Sequence, residues 1–331
     1  MSVKTVLITG GAGFIGSNLA LKLLKENFRV IILDDLSRST TENIRACYNY
    51  GQNFYFVKAS VLDQQAVDKA VAVSDYVFHL AAQVHWEESI DSPLESYSIN
   101  SHGTQVILEA IRRHQTSKSP VKLLLYASSS EVYGTAEYVP MDEKHPFNPS
   151  SPYAAGKAAA DRLCSAYHHV YKIPVVILRQ FNTYGPGQRL KGYSAVVPKF
   201  INQVFNGVPP TIFGDGTQAK DFHGVADLLQ AYSLIIDHAD DPAVLGETIN
   251  FGTGIETSVN DLAQVIIDAV AATGRPVGDL KPVHLPPRPG EVMRLHADIS
   301  KAKKLLGFKP ECTLKDGIAE YVEWFQREGR K

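Results

Sequence analysis

Residues 5–16 read Thr5-Val6-Leu7-Ile8-Thr9-Gly10-Gly11-Ala12-Gly13-Phe14-Ile15-Gly16. The apolar and β-branched residues predict a strand, and the glycines predict a tight turn that opens a helix. At such a turn the backbone can approach a pyrophosphate closely, and the helix N-terminus offers unpaired N–H groups and the positive end of its dipole. We therefore predict a dinucleotide site that contains Gly10, Gly13, Phe14, Ile15 and Gly16.

Short apolar strands alternate with helical segments from this point to residue 180. The predicted strands are residues 5–9, 29–33, 54–58, 76–80, 122–127 and 175–178. The predicted helices are residues 14–26, 63–71, 94–114 and 152–171. Strands that are apolar on both faces are typical of a sheet that helices cover on both sides. The predicted fold class is therefore α/β, with a doubly wound parallel (Rossmann) sheet.

The chain changes character after residue 180. Proline and glycine become frequent at 184–192, 209–216 and 281–290, and shorter helical patterns such as 258–272 separate them. We predict an NAD-binding domain over residues 1–180 and a smaller C-terminal substrate-binding cap over residues 181–331, with part of this second segment returning to the first domain. Because ligands bind at the carboxyl ends of the strands in such sheets, we expect the cap to close there.

Composition argues against several classes of partner. The 331 residues carry 33 Lys and Arg against 35 Asp and Glu, a net charge of −2, which predicts neither a nucleic-acid nor an anionic-membrane partner. Cys47, Cys164 and Cys312 lie far apart, the histidines show no metal-ligand spacing, and no apolar run reaches the ~20 residues of a membrane span. We therefore expect no metal site, reduced thiols and a cytoplasmic location.

The second predicted strand ends at Asp34-Asp35. A carboxylate at this place accepts hydrogen bonds from the adenosine ribose and repels a 2′-phosphate, so Asp34 favours NAD over NADP. Arg38 lies close by in the sequence and would act in the opposite direction, but we expect Asp34 to dominate. The predicted cofactor is NAD.

A further stretch, Ser151-Pro152-Tyr153-Ala154-Ala155-Gly156-Lys157, predicts the start of a helix. Ser151 is a good N-cap and Pro152 suits the first helical position, which places Tyr153 and Lys157 on one face. A free tyrosine has a pKa of about 10, too high for a base at neutral pH. A cation ~4 Å away contributes roughly 4 kcal/mol at an effective dielectric constant of about 20, which is enough to make a phenolate accessible.

These motifs occur together with others along nearly the whole chain. They are the glycine turn, His79-Leu80-Ala81-Ala82, Asn100, Ser128-Ser129-Ser130-Glu131-Val132-Tyr133-Gly134, Tyr153 with Lys157, Arg179 with Asn182 and Tyr184-Gly185-Pro186, Gly214-Asp215-Gly216, Asp221-Phe222 and Arg288-Pro289-Gly290. The chain resembles the extended short-chain dehydrogenases/reductases, in the branch that acts on nucleotide-diphosphate sugars. The resemblance implies a Rossmann domain, NAD and an NDP-sugar substrate. It also suggests a homodimer paired through helices 94–114 and 152–171.

The resemblance implies roles for individual residues. Tyr153 would deprotonate the sugar 4-hydroxyl, Lys157 would hold the nicotinamide ribose and favour the phenolate, and Ser129 would hydrogen-bond the same sugar oxygen. The cofactor would also contact Ser60, Val61, Leu80, Ala81 and Ala82. The substrate would contact His85, Asn182, Lys199, Lys220 and Arg288, of which Lys220 stands where the family usually has arginine.

Glu131 decides between the reactions of this family. The 4,6-dehydratases that resemble dTDP-glucose dehydratase carry Thr-Asp-Glu where this chain has Ser129-Ser130-Glu131, whereas epimerases usually carry a small residue or threonine at the place of Glu131. Once C4 is a ketone, a carboxylate can remove the C5 proton while the C6 hydroxyl leaves. With Ser130 in place of the aspartate, Glu131 would act as both base and acid. We take Ser130 as a catalytic candidate as well.

The prediction is therefore an NDP-hexose or NDP-hexosamine 4,6-dehydratase, and residues 81–93 are similar to the matching dehydratase loop. Tyr184-Gly185-Pro186-Gly187-Gln188 with Gly192-Tyr193 also suits an NDP-sugar 4-epimerase, which is the alternative. UDP-glucuronate decarboxylase and 4-ketoreductase are further alternatives. A catalytically silent sensor of NAD or a sugar nucleotide is a rival of another class, but sensing requires none of Tyr153, Lys157 and Glu131, so we expect an enzyme.

Overall fold

The structure, a computed structural model, describes residues 3–117, 120–188, 195–288 and 291–328. Gly192-Tyr193 and Pro289-Gly290 lie outside the described residues. The described strands are β1 (Thr5–Thr9), β2 (Arg29–Leu33), β3 (Phe54–Val57), β4 (Tyr76–His79), β5 (Leu123–Ser129), β6 (Val175–Gln180), β7 (Asn182–Tyr184), β8 (Thr211–Phe213), β9 (Ala219–Gly224), β10 (Thr248–Phe251), β11 (Glu256–Ser258), β12 (Val283–Leu285) and β13 (Arg294–Leu295). The described α-helices are α1 (Phe14–Lys25), α2 (Gln64–Val71), α3 (Trp86–Asp91), α4 (Pro93–Tyr97), α5 (Gly103–His114), α6 (Pro152–Tyr171), α7 (Val196–Phe205), α8 (Val225–Asp237), α9 (Val259–Ala272), α10 (Ser300–Leu306) and α11 (Leu314–Arg327).

A seven-stranded sheet forms the centre of the molecule, in the order β3-β2-β1-β4-β5-β6-β10. All its pairings are parallel, with registers such as Val6 opposite Val30 and Leu125 opposite Val176. Its strands are largely buried, because helices pack on both faces and leave neither face to solvent. This arrangement confirms the predicted doubly wound parallel sheet. Its edge strand β10 comes from the chain beyond residue 180 and pairs with β6.

The bounds of β1 to β6, α1, α2 and α6 agree with the sequence prediction to within two residues. Local capping explains part of this agreement. The Asp63 side chain accepts hydrogen bonds from the Gln65 and Ala66 N–H groups at the start of α2, and the Ser151 side chain accepts one from Ala154 at the start of α6. Such caps satisfy N–H groups that have no partner within the helix, so they fix where the helix begins.

The segment 94–114 is not the single α-helix that the sequence predicts. It contains most of α4, a π-helical turn over Ser98–His102, and α5. In the π turn the buried Asn100 accepts a hydrogen bond from the Gln83 N–H at 2.8 Å and donates one to the Gln83 carbonyl at 3.0 Å. The wider turn thus directs Asn100 towards the loop after β4, at the carboxyl end of the sheet.

The chain beyond β6 adds two small sheets and its own core. β9 pairs with β7, β11 and β13, and β8 pairs with β12. Helices α7, α9 and α11 form the core of this region with side chains such as Phe200, Leu262 and Tyr321. Among the described helices, none combines the length and the apolar character needed to cross a membrane.

Candidate active site

One cavity of about 1220 Å³ lies between the carboxyl ends of the large-sheet strands and the small sheets. It is lined by the predicted cofactor residues Gly10, Gly13, Phe14, Ile15, Gly16, Asp34, Ser60, Val61, Leu80, Ala81 and Ala82. The predicted catalytic residues Ser129, Ser130, Glu131, Tyr153 and Lys157 line it as well. Asn182, Lys199, Lys220 and Arg288 complete it from the other side. The structure therefore brings together all the predicted site residues except His85.

His85 is the N-cap residue of α3 and is not among the described residues that line the cavity. Its Nδ1 lies 3.8 Å from the Glu88 carboxylate. The cavity wall at this place is formed by the neighbouring Val84 and Trp86. Trp86 was missed by the sequence prediction, as was Phe213 of β8, although Phe213 directly precedes the noted motif Gly214-Asp215-Gly216.

The glycine turn leaves room only for backbone. Gly10 has a φ of +67°, and a Cβ there would lie 2.7 Å from the Ala81 nitrogen. A Cβ on Gly16 would lie 2.5 Å from the Gly10 carbonyl oxygen. Because these side chains are absent, the N-terminus of α1 meets the cavity with its N–H groups and the positive end of its dipole. The turn therefore fits the pyrophosphate of a dinucleotide.

Asp34, at the end of β2, holds the glycine turn in place. Its Oδ2 accepts a hydrogen bond from the Ala12 N–H at 3.0 Å. Its Oδ1 accepts hydrogen bonds from the Leu36 N–H at 2.9 Å and the Ser39 hydroxyl at 2.8 Å. A carboxylate can accept about four hydrogen bonds, so Asp34 keeps capacity for a ribose hydroxyl.

The sequence predicts that Arg38 acts against the preference for NAD that Asp34 gives. In the structure Arg38 is paired with two other carboxylates. Its Nη1 contacts Glu88 Oε2 of α3, and its Nη2 lies 3.3 Å from Glu95 Oε1 of α4. The guanidinium lines the same cavity as Asp34. The net charge of Asp34, Arg38, Glu88 and Glu95 at this end of the cavity is therefore negative, which is unfavourable for a 2′-phosphate.

The cation beside Tyr153 is buried. Lys157 follows Tyr153 by one turn of α6, and its side-chain amine donates a hydrogen bond to the Ala127 carbonyl of β5. The Nζ also lies 4.5 Å from the centroid of the Tyr126 ring. Burial lowers the pKa of Lys157 to about 8, so the amine still carries its proton at neutral pH. The helix thus presents a phenol and a desolvated cation on one face.

Glu131 stands in the 3₁₀ turn Ser130–Tyr133 that follows β5. The Ser129 hydroxyl caps this turn by accepting a hydrogen bond from the Glu131 N–H at 3.2 Å. Glu131 lines the cavity, and within the described part of the chain its carboxylate has no hydrogen bond or ion pair with another residue. A carboxylate in this state is available to a bound substrate.

A buried charge network supports this turn from behind. Arg179 donates hydrogen bonds to both carboxylate oxygens of Asp161, at 2.9 and 3.0 Å, and to the Tyr133 hydroxyl at 2.8 Å. The Ser128 hydroxyl donates to Asp161 at 2.8 Å. Tyr133 in turn donates to Asn250 of β10 at 2.7 Å. The network therefore joins the end of β5, the turn that carries Glu131, and the edge of the large sheet.

Replacing Asp161 with asparagine is expected to lower the free energy of unfolding by about 3–5 kcal/mol, because Arg179 would stay buried without its counter-charge. Burial alone would raise the pKa of Asp161, but the hydrogen bonds from Arg179 outweigh it and the pKa is lowered. Urea unfolding at neutral pH measures the loss. The matched control Asp68→Asn weakens surface contacts with Arg113 and His114 and should cost less than about 1 kcal/mol. Equal losses in the two variants would contradict the role of the network.

Cations face the cavity from the small sheets and α7. Lys199, Lys220 and Arg288 line it, and the Arg288 guanidinium carbon lies 3.6 Å from the centroid of the Phe213 ring. Arg288 also pairs with Glu87 of α3 at 3.0 Å. Burial, together with the nearby Arg288 charge, lowers the pKa of Lys199. This side of the cavity therefore suits an anionic group.

In the part of the chain that the structure describes, no group of His, Cys, Asp and Glu could hold a metal ion.

Comparisons with known proteins agree with this geometry. The family model described as GDP-mannose 4,6 dehydratase matches residues 7–321. A "Putative UDP-glucose 4-epimerase" of Methanocaldococcus jannaschii is 37% identical over 98% of this chain and 99% of its own length. A "dTDP-glucose 4,6-dehydratase" of Streptomyces niveus is 34% identical over 97% of this chain and 92% of its own. The solved UDP-glucuronic acid 4-epimerase of Bacillus cereus, in complex with UDP-glucuronic acid and NAD, superposes with a TM-score of 0.87 at 31% identity, over 98% of this chain and 99% of that one.

Proposed function

The chain belongs to the family of extended short-chain dehydrogenases/reductases whose model is described as GDP-mannose 4,6 dehydratase, and we propose that it is an NDP-hexose or NDP-hexosamine 4,6-dehydratase. It is an NAD-dependent enzyme that modifies nucleotide sugars, as its family and its solved relatives are. The observation that carries the choice of reaction is Glu131. Its carboxylate has no protein partner among the described residues, and it lines the same cavity as Tyr153.

In the proposed reaction Tyr153 takes the proton from the sugar O4, and Ser129 hydrogen-bonds the same oxygen. The buried Lys157 cation stabilises the phenolate and so lowers the free-energy barrier to oxidation of the hydroxyl to the ketone. NAD would supply the acceptor for the hydride from C4 and the source of the hydride that C6 receives. Asp34, the glycine turn and the residues at Ser60, Val61 and Leu80–Ala82 would hold it.

Glu131 then acts on the ketone. The ketone at C4 acidifies the C5 proton, which Glu131 removes, and the carboxylic acid so formed protonates the departing C6 hydroxyl. One water leaves, which gives a C5=C6 enone. The hydride taken from C4 would then add to C6 and a solvent proton would add to C5, so the product is a 4-keto-6-deoxy sugar and NAD is regenerated. Ser130 has no carboxyl group, and for this reason we assign both proton transfers to Glu131, with Ser130 as a hydrogen-bond partner of the sugar.

The substrate diphosphate is proposed to lie among Lys199, Lys220 and Arg288. These cations come from different elements but line one side of the cavity. Phe213 lines the cavity beside these cations and would contact the nucleotide base. Asn182 and Trp86, which both line the cavity, would contact the sugar.

A 4-epimerase is the second candidate, because the archaeal relative that is 37% identical is named as a putative UDP-glucose 4-epimerase. The same Tyr153 and Lys157 would serve its oxidation step. Glu131 would then have no proton to transfer, which leaves its placement in the cavity without a chemical purpose. We therefore put the dehydratase first.

Turnover in deuterated water separates the two reactions. A dehydratase returns a solvent proton to C5, so we expect deuterium at C5 and a product that has lost one water. The measurement is product mass and proton NMR after incubation with UDP-, dTDP-, GDP- and CDP-hexoses and hexosamines. An unlabelled product with the mass of the substrate and inverted C4 would instead establish the epimerase.

A cytoplasmic homodimer is part of the proposal. Leu94 is 83% exposed and Tyr97 is 59% exposed on α4, and Val170 is 64% exposed near the end of α6. Burying these apolar side chains against a second copy would be favourable.

All three cysteines are free, in agreement with a reducing compartment. We also retain residues 1–180 and 181–331 as the proposed domains, with part of the second segment, including β10, returning to the first.

A further inference from the structure

Arg38 occupies the place from which a NADP-specific enzyme would bind a 2′-phosphate. It follows Asp34 by four residues, lines the cavity at the end of β2, and its side chain is 24% exposed. A guanidinium can form two parallel hydrogen bonds with a phosphate, and an arginine in this region accommodates the 2′-phosphate of NADP in Rossmann domains. Asp34 opposes such binding, so Asp34 favours NAD whereas Arg38 favours NADP.

The structure resolves this conflict through α3 and α4. Glu88 contacts Arg38 Nη1 and Glu95 lies 3.3 Å from Arg38 Nη2, so two different nitrogens of the guanidinium are engaged by two different carboxylates. Arg38 is 50 residues from Glu88 and 57 residues from Glu95 in the chain, so the two pairs are tertiary contacts. Two carboxylates from a distant segment therefore hold one cation, and Asp34 lines the same cavity.

We infer that Glu88 and Glu95 are specificity residues, which exclude NADP by occupying the guanidinium that would otherwise bind its 2′-phosphate. A 2′-phosphate would have to displace two carboxylates from Arg38 and would meet their charge as well as that of Asp34. The 2′-hydroxyl of NAD is uncharged, so it neither displaces these carboxylates nor is repelled by them. Selection against NADP is thus divided between Asp34 and a pair of acids from a distant segment.

The test is direct binding of NAD⁺ and NADP⁺ to the full-length protein, measured by calorimetry without any sugar nucleotide. In the Glu88→Gln/Glu95→Gln variant Arg38 keeps its charge but loses its anionic partners. We expect the ratio of the NADP⁺ to the NAD⁺ dissociation constant to fall by about tenfold, while the NAD⁺ constant itself changes little. Adding Arg38→Gln to this variant should restore the original ratio, because the gain depends on the guanidinium.

The matched control is Asp91→Asn, which removes one negative charge from the exposed end of the same helix, where no ion pair with Arg38 is found in the described structure. Its cofactor ratio should stay at the wild-type value. An unchanged ratio in the double variant, or a parallel weakening of both cofactors, would overturn the inference and leave Glu88 and Glu95 as structural contacts. Since no sugar substrate is present, neither outcome affects the proposed dehydration.

Discussion

Replacing Tyr153 with phenylalanine is expected to slow sugar oxidation by about a thousandfold, the usual contribution of a general base. The phenol lines the cavity one helical turn before Lys157, whose buried amine supplies the charge that a phenolate needs. Phenylalanine keeps the ring and therefore the packing of α6, but it has no oxygen to receive the proton. Rapid mixing with substrate and observation of the reduced nicotinamide band measures the oxidation step directly.

Tyr167→Phe is the matched control for this variant. Tyr167 lies on the same helix, and its hydroxyl donates a hydrogen bond to Glu109 at 2.7 Å rather than lining the cavity. Its loss should leave the oxidation rate within about a factor of two. A Tyr153→Phe enzyme that oxidised its substrate at the wild-type rate would show that another group removes the proton.

Elements that depend on local sequence were predicted well. β1, β2 and α6 have the predicted bounds, because an unbroken apolar run or a Ser-Pro helix start determines each of them within a few residues. β10 was missed, since Thr248–Phe251 is short and becomes a strand through pairing with β6, about 70 residues earlier. The 3₁₀ segment Thr41–Asn53 was also missed, because few of its residues are apolar and they show no clear period.

The same distinction applies to the candidate site. The glycine turn, Asp34 and the Tyr153 helix carry their chemistry in contiguous motifs, so the sequence could identify them. The partners of Arg38 and the packing of Arg288 on Phe213 are contacts between residues more than forty positions apart. No local pattern encodes such contacts, because they arise when the loops after different strands converge at one edge of the sheet.

Replacing Glu131 with glutamine is expected to slow dehydration by at least about a hundredfold while leaving the first hydride transfer intact. Glutamine preserves the size of the side chain and the Ser129 cap on the backbone N–H, but its amide cannot take the C5 proton. The 4-keto intermediate should therefore form and accumulate. We expect the reduced nicotinamide band to persist after mixing with substrate, whereas it should decay within a turnover in the wild-type enzyme.

Glu137→Gln provides the control, since Glu137 is an exposed carboxylate six residues further along the same loop and does not line the cavity. It should show the wild-type rise and decay. The variant also discriminates between reactions, because an epimerase transfers no proton at C5 and would tolerate Glu131→Gln with its full turnover intact. Wild-type turnover in Glu131→Gln would therefore remove the dehydratase and leave the epimerase as the function of this site. Persistent reduced cofactor in Glu131→Gln, together with loss of water from the substrate in the wild-type enzyme, would have the opposite meaning, since it shows that the ketone forms and that its dehydration needs Glu131.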